Sequence, residues 1–180
     1  MERVKQKRIV VTCRAMQCAC VAVALGFICG VGWGLLNAGE HLQAWADNRG
    51  LIVVSGDFSQ VQWTLLWILV AIPLVVVCYG LFRLYALFQL FASKTYFTPL
   101  AVRHLLAFSL ALFAAVVVGM LSNTALSLVV TWSNPEGLRA FNVSFGSHEL
   151  LLLLFAAVFT VIAWIFSEAI LLAEENAEII

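Results

Sequence analysis

Glu168 is the residue whose type and setting most invite a chemical reading. It sits near the end of an apolar run, and a carboxylate at membrane depth is costly enough to need a partner or a task. Arg14, just before its run, and Arg83, just after its own, are expected near the same membrane face as Glu168 and are candidates to pair with it. Two further pairs, Glu40-His41 and His148-Glu149, lie at the opposite ends of the apolar runs. If the two halves of the chain pack together, His41, His148 and Glu149 bring imidazole and carboxylate ligands of the kind that bind a divalent cation. Such residues at helix ends are ordinarily just solvated, so no metal and no other cofactor is expected. Cys18 and Cys20 form no metal site by themselves, for want of further ligands. With Cys13, Cys29 and Cys78 they lie in or beside apolar runs, where thiols serve as small packing residues rather than as a disulfide framework. The chain has no phosphate-binding glycine loop, no nucleophile motif and no His-Glu-x-x-His helix. An enzyme is therefore not expected.

The elements that must position these residues are set by composition. Of 180 residues, 63% are apolar and only 11% charged, with a mean hydropathy of +1.01. Ordinary soluble domains carry about 25% charged residues. A soluble fold of this size has too much surface to hide so much apolar material. Four stretches lack Asp, Glu, Lys and Arg altogether: Ala15–Gly39, Phe58–Phe82, His104–Pro135 and Leu150–Ser167. A spanning helix needs about 20 apolar residues, and only a helix satisfies its own backbone in lipid. The expected fold is all-α and integral to the membrane: a bundle of four transmembrane helices at about 10–37, 61–92, 99–131 and 149–173, forming a single domain. The first run exceeds the apolar core of a signal peptide and reads as a retained helix.

Charge sets the orientation. Arg3, Lys5, Lys7, Arg8 and Arg14 precede the first span, and Arg83, Lys94 and Arg103 lie in or beside the link between the second and third. The other two connections hold only Arg49 and Arg139, a division of eight against two. The excess of Lys and Arg belongs inside, so both termini are expected in the cytoplasm. The basic head abuts an apolar run and reads as a topology signal, not as a nucleic-acid surface. Trp33, Trp45, Trp63, Trp67 and Trp132 cluster at the opposite, outer ends, as an interfacial belt does.

The connections carry patterns of their own. Leu51-Ile52-Val53-Val54 is short, apolar and β-branched, and Phe141, Val143 and Phe145 alternate with polar or small residues. Together they predict a small extracytoplasmic β element joining the two outer loops. Beyond Arg83, Leu84, Leu87, Phe88 and Phe91 continue one helical face, so the second helix is expected to outrun the hydrocarbon or turn along its surface. Thr98 is placed to cap the third helix with Pro99 at its first position. Pro73 falls in mid-span and removes one backbone donor. In the first span Cys18, Ala22, Gly26, Gly30 and Gly34 recur every four residues. Such a small face lets another helix approach closely, either within the bundle or from a second copy in a homo-oligomer.

Two segments resemble a bacterial membrane family, the domain of unknown function 2975. One is Phe88-Gln89-Leu90-Phe91-Ala92-Ser93-Lys94-Thr95-Tyr96-Phe97-Thr98-Pro99, followed by Val102, Arg103 and Leu105, and it is similar to the family's Phe-Thr-Pro turn into its third helix. The other is Phe166-Ser167-Glu168-Ala169, with Leu172 and Glu174-Glu175-Asn176-Ala177-Glu178 after it, similar to the family's closing Glu-Gly, Leu and Glu-Glu-Asn pattern. Ala169 stands where the family has Gly, and Lys94-Thr95 replaces a Gly-containing turn. The resemblance implies a multi-pass protein of the bacterial inner membrane, often encoded beside a small helix-turn-helix transcription regulator, with no known catalytic activity. The expectation that follows is a regulatory or sensory component. It would contact that cytoplasmic partner through Lys94, Phe97, Thr98, Pro99, Arg103, Glu168, Glu174 and Glu175, touching lipid but not nucleic acid. The alternative is a small transporter or channel subunit.

Overall fold

The computed structural model describes residues 2–51, 58–93, 98–135, 139, 141–143 and 145–178, without the side chains of 2–7, 38–40 and 173–178. Five helices follow in order: α1 Glu2–Leu36, α2 Ala38–Asp47, α3 Gln60–Ala92, α4 Pro99–Thr131 and α5 Ser147–Glu178. All but α2 are long and apolar enough to cross a membrane, with apolar spans of 29, 33, 33 and 26 residues against the roughly 20 that hydrocarbon requires.

Local signals fix the helix starts. The Ser59 hydroxyl accepts the Gln62 backbone N–H at 3.3 Å, and the Gln62 side-chain oxygen accepts the Ser59 N–H at 2.9 Å. This reciprocal box satisfies two donors that the first turn of α3 leaves open. Thr98 caps α4 by accepting from the Ala101 N–H at 3.4 Å, and Pro99 follows at the first helical position. At the start of α5 a Glu149 carboxylate oxygen accepts the Gly146 N–H at 2.9 Å. α3 runs unbroken through Pro73 and past Arg83 to Ala92.

α2 occupies the connection between the first two spans, where the sequence predicts no helix. It closes on Gly50, at φ +64°, a left-handed conformation glycine adopts without strain. Gly50 donates to the Asp47 carbonyl and Leu51 to that of Ala46, at 3.0 and 2.9 Å. These are the two bonds of a Schellman closure, with Leu51 and Ala46 both buried beneath it.

The extracytoplasmic β element is not formed among the described residues. Residues 52–57 lie outside them. Phe141, Val143 and Phe145 are irregular and exposed, and the Asn142 N–H donates to the Ser127 hydroxyl of α4, at 3.2 Å. Alternation alone predicts a strand, but this backbone finds its acceptor on a helix and leaves both neighbours' side chains outward.

The strong packing runs in chain order, α1 on α3, α3 on α4 and α4 on α5, so α1 and α5 are the flanking helices. α4 is accordingly the most buried span and α1 the least. Its buried polar residues are small hydroxyls. Ser109, Ser127 and Thr131 return their protons to carbonyls three or four residues back, at 2.7–3.0 Å. A hydroxyl satisfied on its own helix can be buried without an orphaned donor. Two apolar cores result. One gathers Leu66, Val129 and Val130 with Leu42 and Trp45 of α2, and the other joins Leu87, Ala101, Val102, Leu105 and Ala163 at the opposite end.

Candidate functional site at the α3–α4 link

The end of the bundle with the second core holds the residues the sequence singled out. The last turns of α3 contribute Leu84, Leu87, Leu90 and Phe91, the first turns of α4 Ala101, Val102 and Leu105, and the last turns of α5 Phe159, Ala163, Phe166 and Ile170. The two stretches that resemble the family thus pack on one core, although more than seventy residues separate Phe91 from Phe166. Thr98 and Pro99 open α4 above it, and Arg103 and Glu168 stand exposed at its edge. Lys94 and Phe97 lie outside the described residues. Glu174 and Glu175 continue α5 as helix, and their side chains lie outside the description.

Arg83 is engaged otherwise than expected. Its Nε donates to the Tyr79 hydroxyl at 3.0 Å, one turn back on α3, and its guanidinium lies 5.0 Å from the Tyr79 ring centroid. Glu168 is on the far side of α4 from α3, and Arg14 is exposed on α1, the opposite flank. The arrangement does not bring Glu168 to either arginine. His104, one residue beyond Arg103, has a buried Nδ1 with no partner among the described residues and lies within electrostatic reach of Arg83.

At the other end, α2 roofs an apolar pocket of about 210 Å³ whose walls include His41, Trp45, Trp63, Leu66 and Leu126. The Arg49 guanidinium lies over the Trp45 ring at 4.3 Å from its centroid, a cation–π contact. His41 borders this pocket, while His148 and Glu149 start α5 on the far side of α4, and Glu149 is occupied by its Gly146 contact. No group of three potential metal ligands forms among the described residues.

Most of the small face of α1 points away from the chain, while Gly34 borders the pocket under α2. Ala22, Gly26 and Gly30 are exposed, and a Cβ added at Gly26, Gly30 or Gly34 would meet nothing within 4 Å. The stripe that α1 buries is Cys13, Gln17, Cys20 and Ala24. Cys20 and Ala22 are two positions apart, about 200° round a helix, so the two stripes lie on opposite sides. The buried one offers side-chain atoms for contact; glycine offers none. The closest backbone approach falls instead at Gly80 of α3, where an added Cβ would lie 3.1 Å from the Ala111 Cβ of α4.

Sequence reasoning passed over α2, its pocket and the Arg83–Tyr79 contact. Leu42 and Trp45 at helical spacing, with Gly50 as a stop, were the available signal for the first. The Ser59-x-x-Gln62 box was the signal for where α3 begins.

Four long apolar helices, clad in exposed Val, Leu, Ile and Phe, define a multi-pass membrane protein. Large apolar side chains exposed over so much of a surface are normal only where lipid is the solvent. Within that class the chain belongs to the family described as protein of unknown function (DUF2975), whose model matches residues 9–180. No curated protein and no solved structure matches it.

Proposed function

We propose that the chain is a regulatory or sensory component of the bacterial inner membrane, with both termini in the cytoplasm. It acts by binding, not by catalysis, on a cytoplasmic partner such as a helix-turn-helix transcription regulator. The observation that supports this is the shared core under the α3–α4 link and α5, with Ala163 fully buried at its centre. That core couples two separate segments into one surface bearing Arg103 and Glu168. A shift of α4 is then transmitted to both. The pocket under α2, at the other end of α3 and α4, suits a small apolar signal. The small face of α1 is where a second copy would associate.

The test is co-expression with a small helix-turn-helix transcription regulator, taken from beside the gene where one is encoded there, followed by co-purification in mild detergent. The full chain should retain the regulator, and removal of residues 174–180 or Arg103→Glu should release it while membrane insertion is unchanged. Equal retention by all three forms would overturn the assignment of this surface.

A further inference from the structure

A groove of about 450 Å³ runs between α3 and α4 on the outside of the chain, lined by Val75, Val76 and Tyr79 on one side and by Ala107, Leu110 and Ala114 on the other. Its floor is the close approach of Gly80 to Ala111. Its walls face outward: Val75 is 66% and Leu110 64% exposed. The spacing continues past the groove at one end only. Val75, Tyr79 and Arg83 recur every four residues on α3, and Ala114, Ala111, Ala107 and Arg103 recur at three and four on α4. Both stripes therefore end in an arginine at the same end.

The dimensions match one leaflet. Eleven residues separate Arg103 from Ala114, about 16 Å of helix, and half of a 30 Å hydrocarbon core is about 15 Å. The charges match one chemistry. Neither α3 nor α4 contains an Asp or Glu, and the span of α1 from Arg8 to Leu36 has none. The Arg83 guanidinium, folded back on Tyr79, is thus drawn toward the groove and away from the helix end. Its remaining N–H groups are left for a counter-charge that α1, α3 and α4 do not supply. A guanidinium at the edge of hydrocarbon is costly without a counter-charge, and its planar fork fits a phosphate.

We propose that this groove seats one anionic glycerophospholipid. An acyl chain lies along Tyr79, Leu110 and Ala114, and the phosphate sits between Arg83 and Arg103. His104 adjoins Arg103, and its Nδ1 is buried without a partner among the described residues; the carboxylate at this end, Glu168, belongs to α5 and is exposed. A second copy of the same groove would bring two more arginines to the same depth, so charge favours lipid over self-association there. The seat does not depend on which side of the membrane this end faces, nor on the regulatory role.

Native mass spectrometry of the detergent-purified full chain, titrated with phosphatidylglycerol or phosphatidylcholine, tests the seat. The wild-type chain should favour phosphatidylglycerol by about tenfold or more, as two arginines near a headgroup warrant. R83Q/R103Q should bind both lipids alike. R83K/R103K should keep most of the preference, which separates loss of charge from loss of fold. Ala114→Trp should weaken both lipids by filling the groove, and Arg49→Gln, at the other end of the molecule, should change neither. Millimolar inorganic phosphate should leave the lipid bound, because it offers no acyl chain. An undiminished preference in R83Q/R103Q, displacement by phosphate alone, or a lipid-free dimer that R83Q/R103Q dissociates would each overturn the proposal.

Discussion

Gln62 of α3 and Ser133, just past the end of α4, are joined by a side-chain hydrogen bond of 3.0 Å, and the same Gln62 amide donates to the Val129 carbonyl at 3.3 Å. The other end of that amide holds the Ser59 N–H in the capping box. One buried side chain therefore both starts α3 and fastens it to the end of α4.

Replacing Gln62 by Leu should be among the more costly single changes at this end. It removes the side-chain half of the capping box and two interhelical contacts, while the Ser59 hydroxyl still accepts the backbone N–H of residue 62. Helix caps are worth about 1 kcal/mol, and interhelical hydrogen bonds in membranes average about 0.6 kcal/mol. A loss of about 1–2 kcal/mol is expected, read as earlier thermal unfolding in detergent. Thr160→Val, which removes the 3.0 Å bond from Thr160 of α5 to the Ser109 hydroxyl and the 2.8 Å bond to the Ala156 carbonyl one turn back on its own helix, touches no cap and should cost less.

Two glycines should respond in opposite ways. Gly80→Val places methyl groups against Ala111, where the first added carbon already stands 3.1 Å from its neighbour. Overpacking of this kind costs about 1–3 kcal/mol. Gly30→Leu meets open space and should leave monomer stability unchanged, within about 0.5 kcal/mol as for a surface site. If α1 associates with a second copy through this face, Gly30→Leu should instead shift the size-exclusion profile from dimer to monomer. A substantially destabilised Gly30→Leu monomer would show that the face packs within the chain.

Thr98→Ala tests whether the start of α4 depends on its cap. The hydroxyl is the acceptor for the Ala101 N–H, and Ala101 belongs to the core shared with α3 and α5. A cost of about 1 kcal/mol should appear as faster amide exchange over the first turn of α4. Thr98→Ser, which keeps the acceptor, should restore protection. Equal exchange in Thr98→Ala and the native chain would show that Pro99 alone fixes the turn.

The long apolar runs, the cap at Thr98 and the extension of α3 were legible because each depends on residues close in sequence. Hydrocarbon length and helical periodicity act locally. The expected strand failed, and the two uses open to the small stripe of α1 stayed undivided, because in both cases the deciding contact is distant. Phe141, Val143 and Phe145 alternate as a strand would, yet the Ser127 hydroxyl that takes the Asn142 N–H lies fifteen residues away on α4. The small stripe of α1 has the spacing of a packing face, but which side of α1 meets α3 is decided by the partner. Cys13, Cys20 and Ala24 give nothing away by spacing that the glycines do not. For the site, the arginines were visible and their setting was not, because the fold-back of Arg83 onto Tyr79 depends on rotamers.

The orientation rests on the eight-to-two division of Lys and Arg and is open to direct measurement. The five native cysteines are free, so they are first replaced by serine or alanine, and a single cysteine is then placed at Asn48, Asn142 or Ser93. Asn48 follows α2 and Asn142 lies between α4 and α5, whereas Ser93 ends α3 at the other end of the bundle. An impermeant maleimide added to intact cells should label the first two and leave Ser93 unlabelled until the membrane is permeabilised. The basic residues dominate this choice because each resists transfer across the membrane, while carboxylates contribute little. A further variant, Lys94→Glu with Arg103→Glu, removes two of the three positive charges in or beside the α3–α4 link. Because the head keeps its five, the pattern of labelling should persist. Labelling at Ser93 in intact cells with the native link would invert the orientation and put the proposed partner surface on the wrong side of the membrane for a cytoplasmic regulator.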